Sequence, residues 1–261
     1  MSSIAAVLIV KNEAENLAAC LATLDWADEI VVLDSGSTDE TESVARAHGA
    51  RFFRDDDWQG FGRQRQRAEA LVESEWILMV DADERVTETL RDSIRQCVAQ
   101  GPAIGSMARL SWCFGRFIRH GGWYPDRVLR LYPKGLAGYD DARVHEKLRN
   151  DHGLSVRRLQ GDLLHYTYRD LRHYLEKSAH YAQAWAQARQ ERGEKGSLAS
   201  GVLHAVGCFL RMYVLKLGVL DGRQGLLLAL LSAHSTFAKY ADLWVRTRTS
   251  TCEAASRDNR H

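Results

Sequence analysis

The chain has 261 residues, 45% of them hydrophobic, with 35 basic and 34 acidic side chains and a formal net charge of +1. That apolar share supports a packed core, in one large domain or a domain with an appendage. The near-neutral balance excludes the chain-wide basic surface of a dedicated nucleic-acid binder.

In chain order, the first half alternates between strand and helix patterns. "IAAVLIV" (4–10) is a fully apolar run of the kind that forms a buried parallel strand, and "ENLAACLATL" (15–24) sets Leu17, Cys20, Leu21 and Leu24 on one helix face. "EIVVLD" (29–34) predicts a second strand, and "STDETESVARAHG" (37–49) a helix that stops at glycine. "ARFFR" (50–54), "FGRQRQRAEALVES" (61–74), "WILMVD" (76–81) and "TETLRDSIRQCVAQG" (87–101) continue as strand, helix, strand, helix. Such repetition with short connections predicts an α/β fold, a mostly parallel sheet flanked by helices. Beyond it come strand-like "IGSMARLSWCF" and "DRVLRLY" with glycine-rich loops, and a helical region from Asp170.

Cys20, Cys97, Cys113, Cys208 and Cys252 are scattered without a C-x-x-C pair, so reduced thiols are expected rather than a zinc site or disulfides. The apolar run after Met1 has no basic residue before it and closes at Lys11, Glu13 and Glu15. That does not fit a secretory signal and points to the cytoplasm.

In open parallel sheets, ligands bind beyond the carboxyl ends of the strands. Three predicted strands end in polar clusters: "KNE" (11–13), "DSGSTD" (34–39) and "DADE" (81–84). In the second, Ser37 or Thr38 is a candidate helix N-cap, while Asp34 on the last strand position is placed to accept a hydrogen bond from a nucleobase or ribose. In the third, Thr87 is a reasonable N-cap, and the carboxylates lie ahead of it. A D-x-D at a strand end supplies the oxygen ligands a hard divalent ion prefers. Neither G-x-G-x-x-G nor G-x-x-x-x-G-K-[ST] is present, against a nicotinamide or flavin enzyme and a P-loop nucleotidase.

Taken together, "VLIVKNEAENLAACLATLDWADEIVVLDSGSTDET", "FGRQRQRA" and "WILMVDADE" resemble the inverting family-2 glycosyltransferases, in particular bacterial lipopolysaccharide-core glucosyltransferases. The resemblance implies a GT-A fold, a UDP-sugar donor (glucose in the resembled group), Mg²⁺ or Mn²⁺, and a lipid-linked saccharide acceptor. By motif it puts Glu13, Asp34, Arg65 and Asp81 on the nucleotide-sugar, Asp83 on the metal, and Glu146 of "ARVHEKL" as the general base. Here "HE" stands where many relatives carry "ED", and Gln66 where many carry asparagine. His165 is either a further metal or phosphate ligand or a structural histidine. Trp123 and Tyr124 are either an acceptor platform or a packed turn. A nucleotidyltransferase, and a degenerate sugar-nucleotide-binding membrane protein, are the alternatives; the first would bring a glycine-rich loop that "KNEAENL" lacks.

A catalytic domain over 1–192 is expected, with a nucleotide-sugar half (1–101) and an acceptor half (102–192), followed by an apolar helical region (193–261). In the latter, Arg211, Lys216, Asp221 and Arg223 argue against a spanning helix. The better reading is a helix pair lying on the membrane surface, peripheral on the cytoplasmic face of the inner membrane. A helical lid and a dimer interface are the other two.

Overall fold

The computed structural model describes residues 2–144 and 146–258, with side chains to residue 248. His145 and the Cys252 side chain therefore lie outside it. The first half follows the expected order: β1 (Ile4–Val10), α1 (Ala14–Leu21), β2 (Glu29–Asp34), α2 (Thr41–Ala47), β3 (Arg51–Arg54), α3 (Phe61–Ala70) and β4 (Trp76–Met79). A short strand not anticipated from the sequence, β5 (Glu84–Val86), precedes α4 (Glu88–Ala99). Thr87 caps α4 as expected, its Oγ1 accepting from the Leu90 amide at 3.3 Å. Then come β6 (Ile104–Cys113), β7 (Arg116–Phe117), β8 (Asp126–Pro133), β9 (Gly138–Tyr139), β10 (Leu148–Arg149), β11 (Val156–Tyr168), α5 (Leu171–Glu191), α6 (Leu198–Leu210) and α7 (Gly222–Asp258).

The main sheet runs β3-β2-β1-β4-β8-β6-β11-β5, with β7 paired to β6. β1 is parallel to β2 and β4, and β8 is antiparallel to β4 and β6. This is the mixed, helix-flanked GT-A arrangement that the resemblance implied. Side chains on successive strand residues point to opposite faces. Ala6, Leu8 and Val10 of β1 therefore join Leu17, Leu21, Leu90 and Ile94 in one core cluster. Ala5 and Val7 join Ala68, Val72 and Tyr132 in the other. Burial on both faces explains why these strands are apolar throughout. Strand order reverses at β1, so its carboxyl end and that of β4 border the crevice where such sheets bind ligands.

The chain divides into two compact units, Met1–Leu110 with Pro125–Tyr166, and Ser111–Tyr124 with Thr167–His261. This differs from the boundary expected at 192/193. α5 groups with the later helices because it packs on α7: the Trp185 and Tyr240 rings lie 5.0 Å apart, and the Ser178 and Ser235 hydroxyls are hydrogen-bonded. The division expected at 101/102 also differs, since β8, most of β6 and most of β11 share a unit with β1–β4.

In the second unit α6 and α7 form an antiparallel hairpin. Gly201 and Gly196 permit the close approach: a Cβ there would lie 2.9 Å from Tyr240 Cβ and 2.2 Å from the Trp244 amide nitrogen. Between the two helices, the chain continues from α6 through a π-helical stretch at Arg211–Leu215 and closes through a 3₁₀ turn at Gly218–Asp221. The helix runs through Arg211 rather than breaking there. Among the described residues, Leu198–Leu215 is the one helical stretch with the length and composition to cross a membrane, and almost none of it is buried. Asp221 is buried, accepting from the Arg119 and His120 amides at 3.1 and 2.7 Å and sitting 3.1 Å from His120 Nδ1.

In the first unit the start of α3 abuts the segment leading to Glu146. The Phe61 and Gly62 amides donate to the Arg143 and Ala142 carbonyls at 3.1 and 3.0 Å. A Cβ on Gly62 would lie 2.2 Å from the Asp140 carbonyl oxygen and 2.8 Å from the Ala142 nitrogen. Gly62→Ala is therefore expected to destabilise the protein by about 1–3 kcal/mol, the usual cost of overpacking. A lowered urea midpoint checks this; an unchanged midpoint would mean that the segment yields without cost.

Candidate active site

The loops after β1 and β2 are tied together by side-chain to backbone bonds. Asn12, with φ of +54°, donates its amide to Ser37 Oγ at 2.8 Å and accepts from the Thr38 amide at 2.8 Å. Asp39 accepts from the Ala14 amide at 3.2 Å and Thr41 Oγ1 from the Glu13 amide at 2.9 Å. Ser37 and Thr38 are thus loop braces rather than helix caps, and α2 begins only at Thr41. Asp34 is buried, and its Oδ2 accepts from the Gly36 and Ser37 amides at 3.0 and 2.9 Å while Ser37 Oγ donates to Oδ1. Much of its hydrogen-bonding capacity therefore goes to shaping its own turn. Glu13 accepts from Asn16 Nδ2 at 2.9 Å.

Asp81, just past β4, is held by two arginines. Arg65 Nη2 donates to Oδ1 at 2.9 Å and Arg130 Nη2 to Oδ2 at 2.5 Å. Arg65 also donates through Nε to Glu146 Oε1 at 2.9 Å, and its guanidinium lies 5.0 Å from the Tyr139 ring centre. Its side chain is only 5% exposed, so Arg65 is a buried strut between two carboxylates. Gln66 braces the same wall, donating to the Tyr139 carbonyl at 2.9 Å.

Glu84 is fully buried beneath this pair. Its Oε2 accepts from the Asp81 amide at 2.9 Å. Its Oε1 has no hydrogen-bond partner and lies 3.6 Å from both Arg130 and Arg109. Burial pushes the Glu84 carboxyl up, against the opposing charge of Arg130. Burial works in the same direction on Asp81, but there the charges of Arg130 and Arg65 overwhelm it and hold the carboxyl well below the usual range.

The antiparallel ladder between β5 and β11 pairs Glu84 with His165, and the Tyr166 amide donates to the Asp83 carbonyl at 2.9 Å. This sets His165 Nε2 3.3 Å from Asp83 Oδ2. The two residues expected on a metal are therefore adjacent. Among the described residues no group of three or more ligand side chains occurs. A carboxylate and an imidazole fit Mn²⁺ or Mg²⁺ as a partial set, because such ions take one or two protein ligands and complete their shell with water and substrate phosphates.

Asp81, Asp83, Arg65, Glu146 and His165 thus stand at one strand end, beside the loops carrying Glu13 and Asp34. The family model described as Glycosyl transferase family 2 matches residues 5–150. The chain belongs to that family. It is a glycosyltransferase, 26% identical to the lipopolysaccharide core biosynthesis glycosyltransferase LpsC of Rhizobium meliloti (strain 1021) over 91% of the chain and 93% of that protein. It is 24% identical to the uncharacterized glycosyltransferase RP128 of Rickettsia prowazekii (strain Madrid E), over 93% and 87% of the two chains. Among solved structures, S. aureus TarS 1–349 in complex with UDP aligns with a TM-score of 0.49 at 14% identity, covering 95% of this chain and 92% of that one. Glucosyl-3-phosphoglycerate synthase from Mycobacterium tuberculosis, in complex with Mn²⁺, UDP and glucosyl-3-phosphoglycerate, gives 0.36 at 24% identity, over 42% and 44%.

Trp123 and Tyr124 of this glycosyltransferase belong to the other compact unit. There Trp123 packs edge-on to Tyr168, and Arg119 lies over the Tyr124 ring. Sequence reading missed Arg130 and Arg109. A signal for Arg130 was available: it interrupts the apolar run of β8, where a charge stays buried only if paired.

Replacing Arg130 with methionine should strand Asp81 and Glu84 without their shared cation and cost about 3–5 kcal/mol. The Asp81 carboxyl of the unfolded chain takes up a proton near pH 3.9, whereas the folded one stays ionised well below that. The stability from this pairing is thus complete above roughly pH 5 and is lost as the medium becomes more acid. Urea titrations of wild type and Arg130→Met should give a gap that narrows below about pH 4 as Asp81 loses its charge in the unfolded chain. A gap independent of pH would mean that Arg130 matters for packing alone.

Proposed function

We propose that this glycosyltransferase is a metal-dependent, inverting hexosyltransferase. In this reading it moves a hexose, glucose first among candidates, from a UDP-sugar to a lipopolysaccharide-core or related lipid-linked acceptor at the cytoplasmic membrane surface. The observation that carries the reading is the Arg65 bridge, which ties the D-x-D residue Asp81 to Glu146 at the carboxyl end of the sheet. The likeness to LpsC over nearly its full length supports the acceptor class.

In the reaction, an acceptor hydroxyl attacks the anomeric carbon from the face opposite the diphosphate. The new C–O bond forms as the bond to the diphosphate breaks, UDP leaves, and the hydroxyl proton passes to the Glu146 carboxylate. Such a positioned base contributes on the order of 10²–10⁴-fold. Arg65 orients Glu146 through the Nε hydrogen bond and fixes Asp81 on the donor side. Asp34 and Asn12 hold the two loops that frame the nucleotide, with Glu13 beside them. Asp83 and His165 would hold Mg²⁺ or Mn²⁺, which supplies electrostatic stabilisation to the departing diphosphate.

Glu146→Gln is expected to lower transfer at least 100-fold, roughly the base contribution, while UDP affinity stays within a few-fold. Turnover unchanged in a UDP-release assay would remove Glu146 from the reaction. Asp83→Asn should weaken Mn²⁺ binding, read by electron paramagnetic resonance in the presence of UDP, and should abolish release. Full metal affinity in that variant would reject the assignment.

A further inference from the structure

We infer that the outward stripe of α6 and the turn that follows it form a docking surface for an anionic lipid bilayer. This deepens the membrane-surface reading above by naming the element and the lipid chemistry. Leu203, Val206 and Leu210 recur at three- and four-residue steps along one line of α6, and Val214 and Leu217 continue the apolar run through the π-helical stretch and the turn after it. All five are exposed, Leu203 at 72%, and neighbouring Leu215 reaches 75%. Single exposed leucines are ordinary on a soluble protein, but a continuous apolar line of this length is not.

Charge selects the partner. Between Glu194 and Asp242 the sequence holds one acidic residue, Asp221. That residue is buried and engaged with the Arg119 and His120 amides, so it contributes no exposed carboxylate to the surface. Arg211, Lys216 and Arg223 are exposed along the same stretch. An apolar line flanked only by cations matches acyl chains beneath anionic headgroups. Against a second copy of itself, the same face would set cation against cation.

The geometry favours lying in the interface over crossing it. The partner face of α7, against which Gly196 and Gly201 pack, carries Tyr240 and Trp244, and the Asp242–Arg246 ion pair interleaves with them in sequence. A crossing hairpin would carry Arg211, which lies inside the Leu198–Leu215 stretch, into hydrocarbon, at a cost that an interfacial placement avoids. A helix lying in the plane needs only its outward stripe immersed.

The test is flotation of the purified full-length protein with vesicles of phosphatidylcholine alone or mixed with phosphatidylglycerol. Wild type should float with the mixed vesicles, weakly with phosphatidylcholine, and less at high salt. Lys216→Glu/Arg223→Glu, which alters only exposed side chains, should weaken binding by about tenfold or more. Leu203→Ser/Leu210→Ser/Leu217→Ser should abolish it, with circular dichroism and UDP binding unchanged in both variants. Variants that bind like wild type would overturn the inference. So would a wild type that ignores both vesicles but sediments as a dimer that the leucine variant splits. UDP release with a water-soluble acceptor fragment separates the two readings. Its loss in wild type would reject the enzymatic proposal, whereas its retention alongside failed flotation would reject only the lipid surface.

Discussion

The site depends on how four carboxylates are kept together at one end of a sheet. Asp81, Asp83 and Glu84 lie within four residues, and Glu146 is brought to Arg65 from far along the chain. Unscreened, these charges would repel strongly in a part-buried wall. Two buried guanidinium groups resolve most of the conflict. Arg130 lies between Asp81 and Glu84, and Arg65 lies between Asp81 and Glu146. Arginine suits both places, since its rigid fork can serve two acceptors at once and does not lose its charge on burial. Asp83 is left to face His165 instead of an arginine. The cluster is thereby divided into carboxylates paired with arginine and one, Asp83, that faces a histidine.

Much of this layout was legible in the sequence, because the parallel half of the fold is governed by local patterns. Apolar runs marked β1, β2 and β4, and each carboxyl end carried its polar cluster in the next few residues. Thr87 declared the start of α4 by side-chain chemistry alone. Where a long-range pairing decides, the sequence was silent. β5 is three residues long and exists because β11 binds it, in a register that sets Glu84 opposite His165. Nothing near residue 84 announces a partner at residue 165.

The same limit explains the other differences. Arg65 reads as an exposed basic residue on a polar helix, with Arg63 and Arg67 beside it, yet it alone of the three is buried. Only the approach of Tyr139 and Glu146 separates them. Asp221 reads as a charge that interrupts an apolar segment, but the 119–120 backbone claims it. The unit boundary falls before α5 because that helix packs along α7, which no feature of residues 171–191 requires.

The close contact at Gly62 has a consequence for anions. Helix N-termini are ready sites for phosphate, because their amides point outward and the dipole favours negative charge. Here the first amides of α3 donate to the Ala142 and Arg143 carbonyls, and those at the start of α1 donate to Thr41 and Asp39. Both helices have already given the donors that a P-loop would offer to a diphosphate. The face between these loops therefore presents carboxylates and braced backbone, which set a negative field at the strand ends. The charge that relieves such a face on its own is a cation, not a bare anion.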